Sequence, residues 1–249
     1  MKRNIPIEER IILALDVENP EIAKEWVVKT EAHIHFYKVG LQLFMADWFN
    51  IVDWIVRRGH KVMVDLKFFD IPETVHLAVK QLLNRGVTFA TVHGNDTIIK
   101  AAMRAIEESG EADVERLKIL AVTVLTSFGE EDLRAMGMTR SIEDLVHFRA
   151  KRALELNCDG IVSSGLEAQR IRRDLGEKLL VITPGIRPGA NVTDDADDQT
   201  RIMTAKKAIQ NGADYLVVGR PITQAKDPIS VITALQKEIR EAELGVCRT

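Results

Sequence analysis

Val62-Met63-Val64-Asp65-Leu66-Lys67-Phe68-Phe69-Asp70-Ile71-Pro72 passes from an apolar, β-branched run into a cluster of charge and then into a proline. Side chains alternate faces along a strand, so Met63, Asp65 and Lys67 share one side while Val62, Val64 and Leu66 share the other. The first face is apolar until its end and then becomes ionic. Pro72 opens a helical pattern that reaches Arg85, Gly86 follows it, and another apolar run begins near residue 88. Strand, turn, helix and glycine together make one β/α unit.

Working outward, the same unit recurs on both sides. Apolar strand-like runs lie near 11–16, 34–39, 61–67, 88–93, 118–124, 159–163, 179–182 and 214–219. Segments with helical periodicity follow them at 20–30, 41–58, 72–85, 96–109, 141–157, 167–174, 200–211 and 228–243. Strands that alternate with helices predict a parallel sheet with crossover helices. Gly59, Gly86 and Gly212 fall between a helix and the next strand, where a left-handed helix end favours glycine. Eight such units in 249 residues predict an α/β fold of the (β/α)8 TIM-barrel class, built as one domain over 1–249. A doubly wound sheet would want a G-x-G-x-x-G turn after its first strand, and Asp16-Val17-Glu18-Asn19-Pro20 is not one.

Composition narrows the class of partner. With 46% hydrophobic and 29% charged residues and a net charge of −3, the chain reads as an ordinary globular protein. It has no basic stripe for nucleic acid and no basic amphipathic segment for a membrane surface. No apolar run approaches membrane-spanning length, and Ile7-Glu8-Glu9-Arg10 interrupts any signal-peptide core. Two cysteines, Cys158 and Cys247, give neither a disulfide framework nor a paired-thiol metal site. A cytoplasmic location and a small-molecule partner are expected.

Barrels of this class carry their chemistry at the C-terminal strand ends. Asp16 closes the first strand, Lys38 the second, Asp65 and Lys67 the third and His93 the fourth, while Thr126 and Ser127 follow the fifth. Adjacent strands lie about 4.8 Å apart, so Lys38, Asp65 and Lys67 can form a chain of alternating charge. At about 4 Å and an effective dielectric near 20, each pair attracts by about 4 kcal/mol before desolvation. One such pair reads equally well as an ion network closing the barrel mouth, but four charges on three successive strands favour a site. Asp70 has two readings, because Asp70-Ile71-Pro72-Glu73 also resembles a helix N-cap with a capping-box glutamate. His93 is read either as a site residue or as a satisfied interior histidine.

After the eighth strand, Val218-Gly219-Arg220-Pro221 offers a glycine amide, a guanidinium and a proline-initiated turn, the equipment for a phosphate dianion. A phosphorylated substrate is expected. The loop from Thr183 to Gln199 exceeds the roughly 12–15 residues at which loops become unusual, and it reads as a lid whose Arg187 and Gln199 grip that phosphate. Its acids, Asp194, Asp195, Asp197 and Asp198, lack histidine or EF-hand spacing, so no metal is expected.

Asp65-Leu66-Lys67-Phe68-Phe69-Asp70-Ile71-Pro72 resembles the D-x-K-x-x-D-I-P signature of the orotidine 5′-phosphate decarboxylase family. Val124-Leu125-Thr126-Ser127, Thr183-Pro184-Gly185-Ile186-Arg187-Pro188 and Val218-Gly219-Arg220-Pro221 resemble its other motifs in the same order. The chain departs from the family at Phe69 and Glu73, where histidine and asparagine are common, and at Asp96 and Thr97, where paired glycines are frequent. The resemblance implies decarboxylation of orotidine 5′-phosphate with no cofactor. It makes Lys67 the proton donor to C6 of the pyrimidine, in a catalytic network with Lys38, Asp65 and Asp70. It further implies a homodimer in which Asp70, Ile71 and Thr74 complete the neighbouring active site. Asp16 and Lys38 would hold ribose, Thr126 and Ser127 would lie near ribose or base, and Arg187, Gln199, Gly219 and Arg220 would bind phosphate. By the same resemblance Leu66, Phe68, Phe69, Pro72, Glu73 and Pro184 would belong to the substrate-binding surface.

Two rivals remain at this level. A metal-dependent barrel of the 3-keto-L-gulonate 6-phosphate decarboxylase or hexulose 6-phosphate synthase kind would use similar acids and lysine around Mg2+. A noncatalytic nucleotide-phosphate sensor would keep Arg220 and the lid but would not need Lys67 beside two acids.

Overall fold

The computed structural model describes residues 3–110, 116–189 and 202–246. Among them, eight strands form: β1 (Ile11–Ala14), β2 (Phe36–Gly40), β3 (Lys61–Phe68), β4 (Phe89–His93), β5 (Lys118–Val122), β6 (Gly160–Val162), β7 (Leu180–Thr183) and β8 (Tyr215–Val218). Each pairs in parallel with its neighbour in chain order, and β8 pairs with β1, so the sheet closes into a (β/α)8 TIM barrel. The helices are α1 (Ile7–Arg10), α2 (Pro20–Thr30), α3 (Leu41–Asp47), α4 (Phe49–Arg57), α5 (Pro72–Lys80), α6 (Asp96–Ser109), α7 (Glu130–Ala135), α8 (Ile142–Glu155), α9 (Gly165–Leu175), α10 (Ala205–Gln210), α11 (Arg220–Thr223) and α12 (Pro228–Val246).

Strand alternation sorts the core into two layers. Leu13, Tyr37, Val64, Val92, Ile119 and Val181 point outward into the layer beneath the helices, where burying each large aliphatic side chain contributes about 1.5–3 kcal/mol. Their neighbours Ile12, Phe36, Met63, Phe89, Leu120, Leu180, Ile182 and Tyr215 point inward and plug the barrel. The rings of Phe36, Phe89 and Tyr215 pack tilted or edge-on, with centroids 5.0–5.7 Å apart. Gly160 gives this plug its room, since a Cβ there would sit 2.6 Å from Leu180 Cβ. Above the plug, the next inward residues of β1 to β4 are Ala14, Lys38, Asp65 and Thr91. The plug is therefore the floor of the barrel mouth.

The opposite rim is tied by ion pairs. Arg172 and Arg3 meet Asp214 at 2.6 and 3.2 Å, Arg10 donates to the Asp214 carbonyl, and Arg116 meets Asp159 at 2.6 Å. Gly212, entering β8 with φ +104, has no space for a Cβ against Arg172 Cγ, 2.4 Å away.

Several boundaries differ from the sequence reading: β1 ends at Ala14, so Asp16 lies in the loop after it, and the short helices α1, α7 and α11 were not among the expected helical segments. The helix expected over 41–58 breaks at Trp48 (φ 53, ψ −130) into α3 and α4, with Leu43 and Phe44 buried before the break and Ile51, Val52 and Ile55 buried after it. Helix α5 stops at Lys80, and residues 81–86 form turns. Helix α10 starts at Ala205, where the Thr204 side chain caps the Lys207 amide.

Candidate active site

Lys38 is the last inward side chain of β2, followed on that face only by Gly40, and its ammonium is buried. Its Nζ lies 2.8 Å from Asp16 Oδ1 and 3.5 Å from Asp65 Oδ2, and Lys67 Nζ lies 3.0 Å from the Asp65 carboxylate. Asp16, Lys38, Asp65 and Lys67 thus form an alternating ionic chain across the ends of three adjacent strands. Its middle is sealed and its ends are open: Lys38 and Asp65 side chains are 8% and 11% exposed, Lys67 39% and Asp16 59%. Gly40 adjoins the chain closely, because a Cβ there would sit 2.9 Å from Asp16 Oδ1 and 3.1 Å from Lys38 Nζ.

Burial alone would push the Asp65 carboxyl up. The Lys38 and Lys67 charges, with hydrogen bonds from Lys67 and Thr91, outweigh it and hold the group below the ordinary aspartate range. Burial likewise works against the Lys38 charge, yet Asp65 and Asp16 keep it above the ordinary lysine range. Both inner members are therefore ionised together at neutral pH.

A cleft of about 520 Å³ opens above this chain, within the usual range for a small-molecule site. Its walls carry Met63, Val122, Val124, Val162 and Val217, and Thr126 lies among them. Beyond Asp16, where β8 closes on β1, stand Gly219 and Arg220 at the start of α11, and next to them Pro184, Gly185 and Arg187 after β7. The cleft therefore runs from Lys67 on β3, along the ionic chain to Asp16 after β1, and on to a cationic side built from β7–β8. A hollow of about 1260 Å³ at the opposite rim is larger, lined by Arg3, Lys61, Arg116 and Lys118 among others. It lies at the N-terminal strand ends, where Lys61 is paired with Glu9 and Arg116 with Asp159, so size does not make it the reactive cavity. Among the described residues, no group of three or more histidine, cysteine or acidic side chains converges as a metal site would require.

The predicted site residues divide into several groups. Asp16, Lys38, Asp65, Lys67, Thr126, Pro184, Arg187, Gly219 and Arg220 line the cleft. Leu66 and Phe68 instead pack against the outer apolar layer, because strand alternation turns them away from the mouth. Ser127 is exposed beside the cleft and does not line it. Asp70, Ile71, Pro72, Glu73 and Thr74 are exposed and line nothing in their own chain's cleft. The capping reading of Asp70 is replaced: its Oδ1 accepts from the Ile71 amide at 2.6 Å, α5 has Ile71 at its N-cap without a side-chain cap, and Glu73 pairs with Arg104 of α6. Pro72 at the first helical position removes one of the unpaired amides of the first turn by itself. His93 turns aside to stack on Phe69, centroids 4.5 Å apart, and bonds Asn95. Gln199 and the lid acids Asp194, Asp195, Asp197 and Asp198 lie outside the described residues.

One site residue was missed. Thr91 on β4 is fully buried, and its Oγ1 donates to Asp65 Oδ1 at 2.9 Å and accepts from the Lys67 amide at 2.9 Å. The same alternation that placed Phe89 inward would have placed Thr91 inward too.

Comparison with known proteins locates this geometry. Residues 9–235 match the orotidine 5′-phosphate decarboxylase / HUMPS family. A protein of Methylococcus capsulatus named orotidine 5′-phosphate decarboxylase is 50% identical over 238 residues, 95% of this chain and 94% of its own length. One of that name from Xanthomonas euvesicatoria is 43% identical over 235 residues, 94% of this chain and 93% of the relative. The crystal structure of orotidine 5′-phosphate decarboxylase from Lactobacillus acidophilus superposes with a TM-score of 0.80 at 33% identity, covering 93% of this chain and 99% of that one.

Proposed function

The chain belongs to the orotidine 5′-phosphate decarboxylase / HUMPS family, and on that premise we propose that it converts orotidine 5′-phosphate to uridine 5′-phosphate and CO2, a step of de novo pyrimidine biosynthesis, with no cofactor. The observation that carries the reading is the Lys67 ammonium at the open end of a sealed ionic chain, 3.0 Å from Asp65 and facing a cleft whose β7–β8 side is cationic.

Breaking the bond between C6 and the carboxylate leaves an electron pair on a ring carbon with no conjugated sink. A fixed positive charge is then the available stabiliser, and it costs no reorganisation at the moment of reaction. In this reading Lys67 faces C6, opposes the developing charge, and then gives C6 a proton, which solvent later returns. Asp65 holds the ammonium in place, and its own charge near the substrate carboxylate disfavours the ground state. Asp16 and Lys38 take the ribose hydroxyls, and Thr126 lies near ribose or base. Arg187, Gly219 and Arg220 take the phosphate, and Gln199 is assigned to it as well. Phosphate binding far from C6 supplies energy that is expressed at the reacting carbon.

Asp70, Ile71 and Thr74 are assigned to the active site of a second copy. Their exposure supports this, as does the exposed apolar surface of Leu41, Met45, Trp48, Phe69, Ile71 and Leu77 on the elements that follow β2 and β3. The protein is read as one domain acting as a homodimer in the cytoplasm; among the described residues no helix is long and apolar enough to cross a membrane. Incubation with orotidine 5′-phosphate should lower and shift the long-wavelength ultraviolet absorption as the conjugated 6-carboxylate is lost, and yield uridine 5′-phosphate. An unchanged spectrum with retained nucleotide binding would instead mark a sensor.

A further inference from the structure

Strand β3 does not pair evenly with β4. Val64 is opposite Ala90 and Phe68 is opposite Val92, so Asp65, Leu66 and Lys67 together face the single residue Thr91. The excess is accommodated by a bulge in which Lys67 takes φ 48, a left-handed conformation that side-chain-bearing residues rarely adopt. A bulge removes ladder partners, and here the lost partner is replaced by a side chain. The Thr91 hydroxyl accepts the Lys67 amide at 2.9 Å and spends its own proton on Asp65 Oδ1, also at 2.9 Å. It is fully buried, so no solvent competes for either bond.

We infer that Thr91 is a positioning residue: its hydroxyl fastens the β3 bulge to the Asp65 carboxylate and so fixes the Lys67 ammonium over the cleft. The inference rests on the reaction assigned to Lys67 and Asp65 above. A bulge re-aims the side chains it carries, and this one sits where the aim of a single ammonium decides the rate. The effect belongs to the chemical step. Thr91 does not line the cleft, and the cationic side that would bind phosphate is built by other strands.

The test compares Thr91→Val, which keeps the shape and removes the hydroxyl, with Thr91→Ser, which keeps the hydroxyl and removes a methyl. Both are measured on the intact protein with orotidine 5′-phosphate across a range of pH. Thr91→Val is expected to lower kcat about 10- to 100-fold with KM within about threefold of the parent, and Thr91→Ser to stay within about threefold in both. The charged groups facing Asp65 are Lys38 from β2 and Lys67 from β3, with Asp16 beyond Lys38. With those unchanged, the acid limb of kcat should move to higher pH in Thr91→Val and stay in place in Thr91→Ser. If Thr91→Val is insoluble, Thr91→Ala replaces it with the same split expected. A hydroxyl-free variant with parental kcat, or a serine variant impaired as badly as the valine one, overturns the inference. A parent that leaves orotidine 5′-phosphate intact would overturn the assigned reaction instead. The positioning role is then read from the Asp65 carboxyl titration by NMR: an upward move in Thr91→Val supports it, and no move overturns it.

Discussion

Replacing Asp65 with asparagine removes one charge from between two ammonium groups while keeping the size of the side chain. At an effective dielectric near 20, opposite unit charges at the 3.0 Å of the Lys67 pair attract by about 5.5 kcal/mol, and at the 3.5 Å of the Lys38 pair by about 5 kcal/mol. Most of that gross attraction is cancelled by the several kcal/mol needed to bury each ion. Removing one member of a buried pair usually costs about 3–5 kcal/mol, because the partner's charge is left uncompensated. Here Lys38 keeps Asp16 at 2.8 Å, and Lys67 is 39% exposed and gains water. The expected loss therefore falls below that range, at about 2–3 kcal/mol, which lowers the melting temperature by roughly 5–10 °C in a chain of this size. Equilibrium urea unfolding measures it, with the midpoint falling and the slope unchanged.

The same variant has a pH signature. The Asp65 carboxyl is held below its ordinary range in the folded chain, so its stabilising contribution is full above the unfolded-state value and fades as pH falls through the folded one. Asp65→Asn should thus be less stable than the parent at pH 7, with the gap narrowing in acid. A variant as stable as the parent at pH 7, with a constant difference in acid, would refute the view that these charges hold one another.

Further outcomes follow from other parts of the site. Gly40→Ala places a Cβ 2.9 Å from Asp16 Oδ1 and 3.1 Å from Lys38 Nζ, so it should disturb that ion pair and lower kcat/KM about tenfold, for a stability loss of about 1–3 kcal/mol from overpacking; parental kinetics would show that the pair can shift freely. Mixing inactive Lys67→Ala and Asp70→Ala proteins after subunit exchange should recover about a quarter of the parental activity, because half of the dimers then carry one intact site, whereas no recovery would place Asp70 in its own chain's site. Dialysis against EDTA should leave activity unchanged, and a loss restored by Mg2+ would favour the metal-dependent reading.

The barrel was legible because alternation and periodicity are local. Ile12, Ala14 and Asp16 on one face, and Phe36 and Lys38 on the next, announced an interior that turns ionic at its mouth, and the ionic chain lies there. The break at Trp48 was not legible, since no glycine or proline marks it and the buried positions run through it in a helical pattern. The capping reading of Asp70 failed because Arg104, distant in sequence, takes Glu73. Thr91 was overlooked for a different reason: a lone threonine in a strand gains meaning only from the bulge opposite it, and the two-residue register slip that makes the bulge has no signature in either strand alone. Leu66 and Phe68 were carried into the substrate list by the motif that contains them, although the strand pattern already turned them outward.

The most direct measurement is formation of uridine 5′-phosphate by Lys67→Ala at saturating orotidine 5′-phosphate, with binding of the product nucleotide as the control for an intact cleft. Binding should persist while product formation falls to that of a protein-free sample. Turnover close to the parent's would mean that the ammonium beside Asp65 does not stabilise the charge left on the ring.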